Sequence, residues 1–197
     1  MNAFPARKQD EEPRNSPEVE AAYEAVPEEQ IAEIIDGQLH VQPRPRMRHS
    51  RAASVLDRSL RPFDPPDDEP PGGWFIVFEP ELHLGPRPDK LVPDLAGWRR
   101  ERMPAMPDVA AWTTAPDWVC EVLSPDNQST DRGRKRRIYQ REKVGHIWFV
   151  DPAERTVEVW RLTSGGYLVV DTYEGNVRER LEPFEEIVIN IGALWTW

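Results

Sequence analysis

Two stretches, LVPDLAGW at 91–98 and WVCEVLSPDNQSTDRGRKRRIYQREKVGHIWFV at 118–150, decide how this 197-residue chain is read. Leu91–Trp98 and Trp118–Leu123 are apolar runs of strand length, and each carries one embedded carboxylate, Asp94 or Glu121. A carboxylate among Val, Leu, Cys and Trp is costly unless it meets a cation or a metal. For one such acid the commoner outcome is pairing with a core arginine or exposure on an edge strand. Two from neighbouring strands could share a divalent ion, which prefers oxygen ligands. Ser129–Val144 predicts a helix, with Ile138 and Tyr139 three and four residues after Lys135. That spacing puts all three on one face and turns Lys135 toward the core.

Outward from this centre, Ile34–Gln42 reads as a strand or hairpin with Asp36-Gly37 as its turn. Glu28–Glu33 reads as the start of a short helix. His49–Leu60 spaces Ala52, Val55, Leu56 and Leu60 at helical intervals. Trp74–Leu84 is strand-like, and its alternation places Glu79, Glu81 and His83 on one side. Ile147–Val150 and Val157–Leu162 pair as strands across the turn Asp151–Arg155, and Tyr167–Tyr173 and Ile187–Ile191 add further β structure. Arg61–Gly73, with five prolines and two glycines, is a surface loop. The class expected is mixed α/β or α+β with a mostly β core.

The net charge of −10 argues against a general nucleic-acid coat or a polybasic membrane binder. It is unevenly spread. Residues 1–29 hold eight acids and three bases, half of the net charge, with few residues that could build a core. Residues 1–27 are therefore expected to be a disordered acidic tail, with one domain over 28–197. Ser129–His146 carries seven bases against two acids, a local +5. The single cysteine, Cys120, excludes an intramolecular disulfide framework and a multi-cysteine zinc site. No apolar run has the length of a signal peptide or membrane span, and a cytoplasmic setting is the expectation. His83 and His146 lack zinc-ligand spacing, and Cys120 reads as a core residue.

The ordered set Pro93-Asp94, Glu121-Val122-Leu123-Ser124-Pro125, Lys135 and Tyr139, Val144-Gly145 and Trp148-Phe149-Val150-Asp151-Pro152 resembles the bacterial Uma-type restriction endonuclease family of the PD-(D/E)xK nuclease superfamily. Ile35-Asp36-Gly37 and Arg48-His49 extend the resemblance to roughly 30–192. It implies a restriction-endonuclease-like mixed sheet flanked by helices, with additional C-terminal strands. It also implies DNA phosphodiester hydrolysis dependent on Mg²⁺ or Mn²⁺. Asp94 and Glu121 would bind the metal, with Glu79 or Glu81 as third acid and Glu81 slightly preferred. In most of the superfamily a lysine follows the glutamate by two residues; here that position is Leu123, and Lys135 from the next helix takes the role of orienting water or stabilising the developing charge. His49 would line the site or cap its helix, and Tyr139 would line the site. Arg132, Arg134, Arg136, Arg137, Arg141 and Lys143 are candidates for DNA phosphate contacts, or simply a solvated helix face. Cutting both strands of a duplex commonly needs two sites, which suits a homodimer. The alternative is a catalytically silent nucleic-acid-binding or protein-interaction module that keeps the nuclease fold.

Overall fold

The computed structural model describes residues 15–67, 69–125 and 127–197. Asp36 and Gly37 both adopt positive φ, 52° and 72°, the conformation a two-residue hairpin loop demands. They join β1 (Gln30–Ile35) to β2 (Gln38–Pro43), with Ile35 opposite Gln38 and Gln30 opposite Pro43. The helix expected at Glu28–Glu33 is therefore absent. Ile31, Ile34 and Ile35 suit a pleated surface, and pairing along the whole of β2 outweighs any local helical tendency.

Part of the acidic segment is also ordered. Helix α1 (Pro17–Glu24) starts at Ser16, whose Oγ accepts from the Val19 amide at 3.3 Å, and has proline in its first turn. It is fastened by charge: Lys90 Nζ donates to Glu20 at 2.6 Å and lies 4.2 Å from the Tyr23 ring centroid. The tail expected over 1–27 thus gives way to structure before its predicted end, and residues 1–14 lie outside the described residues.

The run Trp74–Leu84, expected to be one strand, is two. Strand β3 (Trp74–Phe78) pairs with β6 (Leu95–Arg99), and β4 (Leu82–Leu84) pairs with β5 (Asp89–Leu91). The break falls at Glu79, where φ is 45°, and at Val92-Pro93-Asp94 on the opposing strand. Across this bend the Glu79 amide donates to the Asp94 carbonyl at 3.0 Å. The chain here passes from a four-stranded sheet, β2-β1-β5-β4, into a six-stranded one in the order β10 (Gly166–Glu174), β9 (Thr156–Thr163), β8 (His146–Asp151), β7 (Trp118–Val122), β6, β3. In the second sheet β7 (Trp118–Val122) and β8 (His146–Asp151) are parallel, joined by α3 (Gln128–Thr130), a π-helical turn (Asp131–Lys135) and α4 (Arg136–Arg141). Strands β9 (Thr156–Thr163) and β10 (Gly166–Glu174) extend the sheet to its edge. A short pair, β11 (Arg178–Glu179) with β12 (Ile189–Asn190), and a 3₁₀ turn at Ile191–Trp195 close the chain.

Alternation along β7 and β8 divides the core. Trp118, Cys120, Val122, Trp148 and Val150 face helix α2 (Met47–Leu60) and the C-terminal segment. Val119, Ile147 and Phe149 face Ile138 and Tyr139 of α4 and the four-stranded sheet. The α+β architecture expected from the sequence is the one observed. Among the described residues no helix is long and apolar enough to cross a membrane.

Phe184 is the hub of the first core. Its ring centroid lies 4.8 Å from those of Phe63 and Trp74, 5.0 Å from Trp118 and 5.6 Å from Trp148. Phe184→Ala is expected to cost about 3–5 kcal/mol, read as a lowered urea midpoint. A loss below about 1 kcal/mol would show that the C-terminal segment contributes little to this core.

Candidate active site

Burial forces the electrostatics of this site. Glu121 lies on the β7 face that looks toward α4 and is only 2% exposed; Lys135, at the end of the π turn, is 1% exposed. Lys135 Nζ lies 2.9 Å from Glu121 Oε1, 3.0 Å from Glu33 Oε1 and 3.3 Å from Asp131 Oδ1. Tyr139 donates its hydroxyl to Glu121 Oε1 at 2.6 Å. One ammonium group is thus surrounded by three carboxylates.

These groups set each other's protonation. Burial pushes the Glu121 carboxyl well above its ordinary range, and the Lys135 charge opposes the shift. Burial would discharge Lys135, but Glu121, Glu33 and Asp131 reverse that effect and hold it firmly as an ammonium. Asp131 is likewise raised by burial against the pull of Lys135.

Asp94 sits beside this cluster at the bend before β6. Its Oδ2 accepts from the Val122 amide at 2.7 Å, which ties it to the residue after Glu121. Its Oδ1 faces His49 Nε2 of α2 at 3.3 Å. Burial raises the Asp94 pKa to about 8, and burial lowers that of His49 to about 4. Burial thus works against charge on both partners of this contact. His49 lines the cleft from within α2 and does not cap that helix, which begins after Arg46 without a side-chain cap.

Asp94, Glu121, Lys135, His49 and Glu79 line one cleft of about 80 Å³. Glu81 does not share it. Its carboxylate bonds His83 Nε2 at 2.6 Å, and it faces a separate depression beside Tyr23. The alternation argument that put the two glutamates on one side fails because the strand breaks at Glu79. Among the described residues no three His, Cys, Asp or Glu side chains are grouped closely enough to hold a metal ion by themselves. The carboxylates that line the cleft are Asp94, Glu121 and Glu79, and the oxygens of Gln42, Ser124 and Asn127 line it as well.

A family model named Uma2 and described as "Putative restriction endonuclease" matches residues 18–192. The chain belongs to the Uma2 family. The fold is also that of a crystal structure described as a "putative nuclease belonging to DUF820" from Anabaena variabilis ATCC 29413. That protein is 23% identical, with a TM-score of 0.71 over 91% of this chain and 97% of the other. No curated protein matches the chain.

Within this Uma2 protein the helical arginines take varied positions, and none lines the cleft. Arg132 is held by a bidentate pair with Glu158 at 2.7 and 2.8 Å. Arg141 pairs with Asp89 and Glu142, Arg136 bonds the Arg132 carbonyl, and Arg134 contacts Gln38 and His40. Arg137 and Lys143 are exposed. Two members of the cluster were missed. Glu33 is a third carboxylate embedded in an apolar strand, the same signal that picked out Asp94 and Glu121, but the helical reading of its segment concealed it. Asp131 is four residues before Lys135, so the helical phase that placed Lys135 inward also places Asp131 there.

Lys135→Met leaves three buried carboxylates without their counter-charge and is expected to cost about 3–5 kcal/mol near neutral pH. Part of that loss should be recovered in urea melts at lower pH, as Glu121 and Asp131, both raised by burial, take up protons; an unchanged midpoint would mean these two are already neutral. Asp94 gives a second expectation in metal-free buffer. Its folded pKa of about 8 lies above the ordinary 3.8, so the stability it contributes is complete below the lower value and is lost as pH rises through the higher one. Asp94→Asn should flatten that decline; an identical pH slope in both proteins would place the effect elsewhere.

Proposed function

We propose that this protein is a divalent-metal-dependent endonuclease that hydrolyses DNA phosphodiester bonds in this cleft, within a single nuclease-like domain that includes helix α1. The observation that carries the reading is the lining of one cleft by Asp94, Glu121 and Glu79 beside a lysine buried against Glu121. Hydrolysis adds water across a P–O bond, leaving a phosphate monoester on one fragment and a hydroxyl on the other.

The donor set suits a small hard cation. Mg²⁺ is usually held through one or two carboxylates, with water and substrate phosphate completing its shell, and Asp94 and Glu121 are a pair of that kind. Glu79, rather than Glu81, is the third acid that shares their cleft. When bound, Mg²⁺ or Mn²⁺ supplies Lewis acidity toward phosphate and lowers the pKa of a coordinated water.

The chain's own groups do the rest. Lys135 opposes the upward push of burial on Glu121 and fixes the direction of its carboxyl, and its ammonium is a buried positive charge on the wall of the cleft. Tyr139 also fixes Glu121 through Oε1, and His49 and the Val122 amide orient Asp94. Cutting both strands of a duplex calls for two such clefts, and a homodimer is part of the reading.

Supercoiled, linear and single-stranded DNA incubated with Mg²⁺ or Mn²⁺ should be cleaved by the protein and spared in EDTA. Glu121→Ala and Asp94→Asn should each lower the rate about a hundredfold or more, since each removes charge at the reacting centre. Glu79→Gln should fall well below Glu81→Gln. Equal cleavage by wild type and Glu121→Ala would sink the reading. Metal-independent binding without cleavage would indicate the catalytically silent module.

A further inference from the structure

The segment that leads from β2 into α2, QPRPRMRHSR at 42–51, holds a set of charges the cleft does not itself explain. Between Gly37 and Leu56 there are four arginines, Arg44, Arg46, Arg48 and Arg51, and no Asp or Glu. All four are exposed. Arg44 and Arg46 line the same cleft as Asp94 and Glu121. Pro43 and Pro45 fix backbone φ around them, so the two guanidinium groups are carried on a stiff lip.

The lip is anchored from below. Arg44 donates through Nε and Nη2 to the Glu28 carbonyl at 3.3 and 2.9 Å, and its Nη1 lies 3.4 Å from Glu79 Oε2. Beyond it, Arg48 and Arg51 are one helical turn apart on the exposed side of α2. Among the described residues none of Arg46, Arg48 and Arg51 forms an ion pair with a carboxylate; Arg48 lies 5.2 Å from the Trp197 ring centroid. Helix α2 also starts with no side-chain cap and no acid in its first turn, so its positive end adds to theirs.

By contrast, the more strongly basic helical stretch is largely spent on internal partners. Arg132 is committed to Glu158 and Arg141 to Asp89 and Glu142, and no arginine of that stretch lines the cleft. Charge density in the sequence and available charge at the site therefore point to different segments.

We propose that the Arg44–Arg51 lip is the phosphate-gripping surface for the DNA strand that enters the cleft, with Arg46 and Arg48 as its principal contacts. The proposal rests on the nuclease reading of the cleft. Guanidinium groups free of carboxylates can take phosphate oxygens bidentately, and a rigid row of them fixes where a backbone lies without reading bases.

Binding of short fluorescein-labelled single-stranded and duplex DNA, followed by anisotropy in EDTA over a salt series, tests this with the full chain. Arg46→Ala/Arg48→Ala should weaken binding about tenfold or more and reduce the slope of log affinity against log salt by about 0.7–0.9 per lost contact. Arg46→Lys/Arg48→Lys should recover most of the slope. Arg137→Ala/Lys143→Ala should bind within about twofold of wild type. Because these side chains are exposed, urea midpoints should not move, and a double variant that unfolds is replaced by Arg46→Glu alone, for which a larger loss is expected. Wild-type affinity and salt slope in the lip variants, or a loss confined to the Arg137/Lys143 variant, overturns the lip. If wild type cleaves DNA with metal while the lip variants keep its KM, the nuclease reading stands and the lip falls. If wild type neither binds nor cleaves DNA, both fall.

Discussion

Glu121 and Lys135 face each other at 2.9 Å in a place from which water is almost wholly excluded, and the local architecture follows from keeping them there. Glu121 sits mid-strand because β7 and the residue after it alternate Val119, Glu121 and Leu123 toward α4. A carboxylate at that depth needs a cation, and the cation needs an element able to carry it inward. The π turn Asp131–Lys135 does this: it buries both Asp131 and Lys135 before Ile138 and Tyr139 take over the packing. Wide turns of this kind are uncommon inside helices and recur at functional sites. Here the turn serves a definite end, bringing an acid and a base from one helical face onto a strand glutamate.

The second constraint is the bend in the long antiparallel pair. β3 with β6 and β4 with β5 would be one continuous ribbon if Glu79 and Asp94 kept extended geometry. Instead Glu79 takes φ of 45° and Pro93 interrupts the ladder opposite it. The ribbon leaves the six-stranded sheet and enters the four-stranded one. Strand breaks expose backbone and re-aim side chains, and this one sets Asp94 against the end of β7 while Glu79 looks into the same cleft. Glu33 reaches the cluster from β1, where its Oε1 accepts the Val92 amide at 2.9 Å. The two sheets thus meet at a seam of acids, closed by one lysine.

How much of this was legible in the sequence depends on whether the deciding physics was local. Apolar runs with an embedded acid located Asp94 and Glu121, and helical phase located Lys135, because periodicity is a property of one element. The same local rules would have found Asp131, and Glu33 once β1 was read as a strand. Glu79 against Glu81 was not legible that way. Alternation holds only while a strand is continuous, and the break at Glu79 is decided by which sheet each half joins. The arginines show the same divide. Their density around α4 is plain in the sequence, but whether Arg132 is available depends on Glu158, a residue of another strand. The Arg44–Arg51 segment carries fewer charges, and only Arg48 of its arginines belongs to the family pattern, yet it borders the cleft. Its significance lies in having few carboxylate neighbours, and that is visible only when the chain is folded.

A lysine so fully enclosed invites the view that the cluster is only a structural ion pair, and buried ion pairs are weak guides to function. The stoichiometry argues otherwise. One ammonium among three acids, with Asp94 and Glu79 beside them, leaves more acidic groups than cations around the cleft. A pair selected for stability alone would be matched, since each surplus buried acid adds a desolvation cost with no return. Nor is Glu121 saturated by its partners. A carboxylate offers about four acceptor positions; Lys135 meets both Glu121 oxygens and Tyr139 bonds Oε1, which leaves acceptor capacity on a residue that lines the cleft. The arrangement therefore fixes the direction of Glu121 without using it up, as required of a carboxylate that must also hold something else.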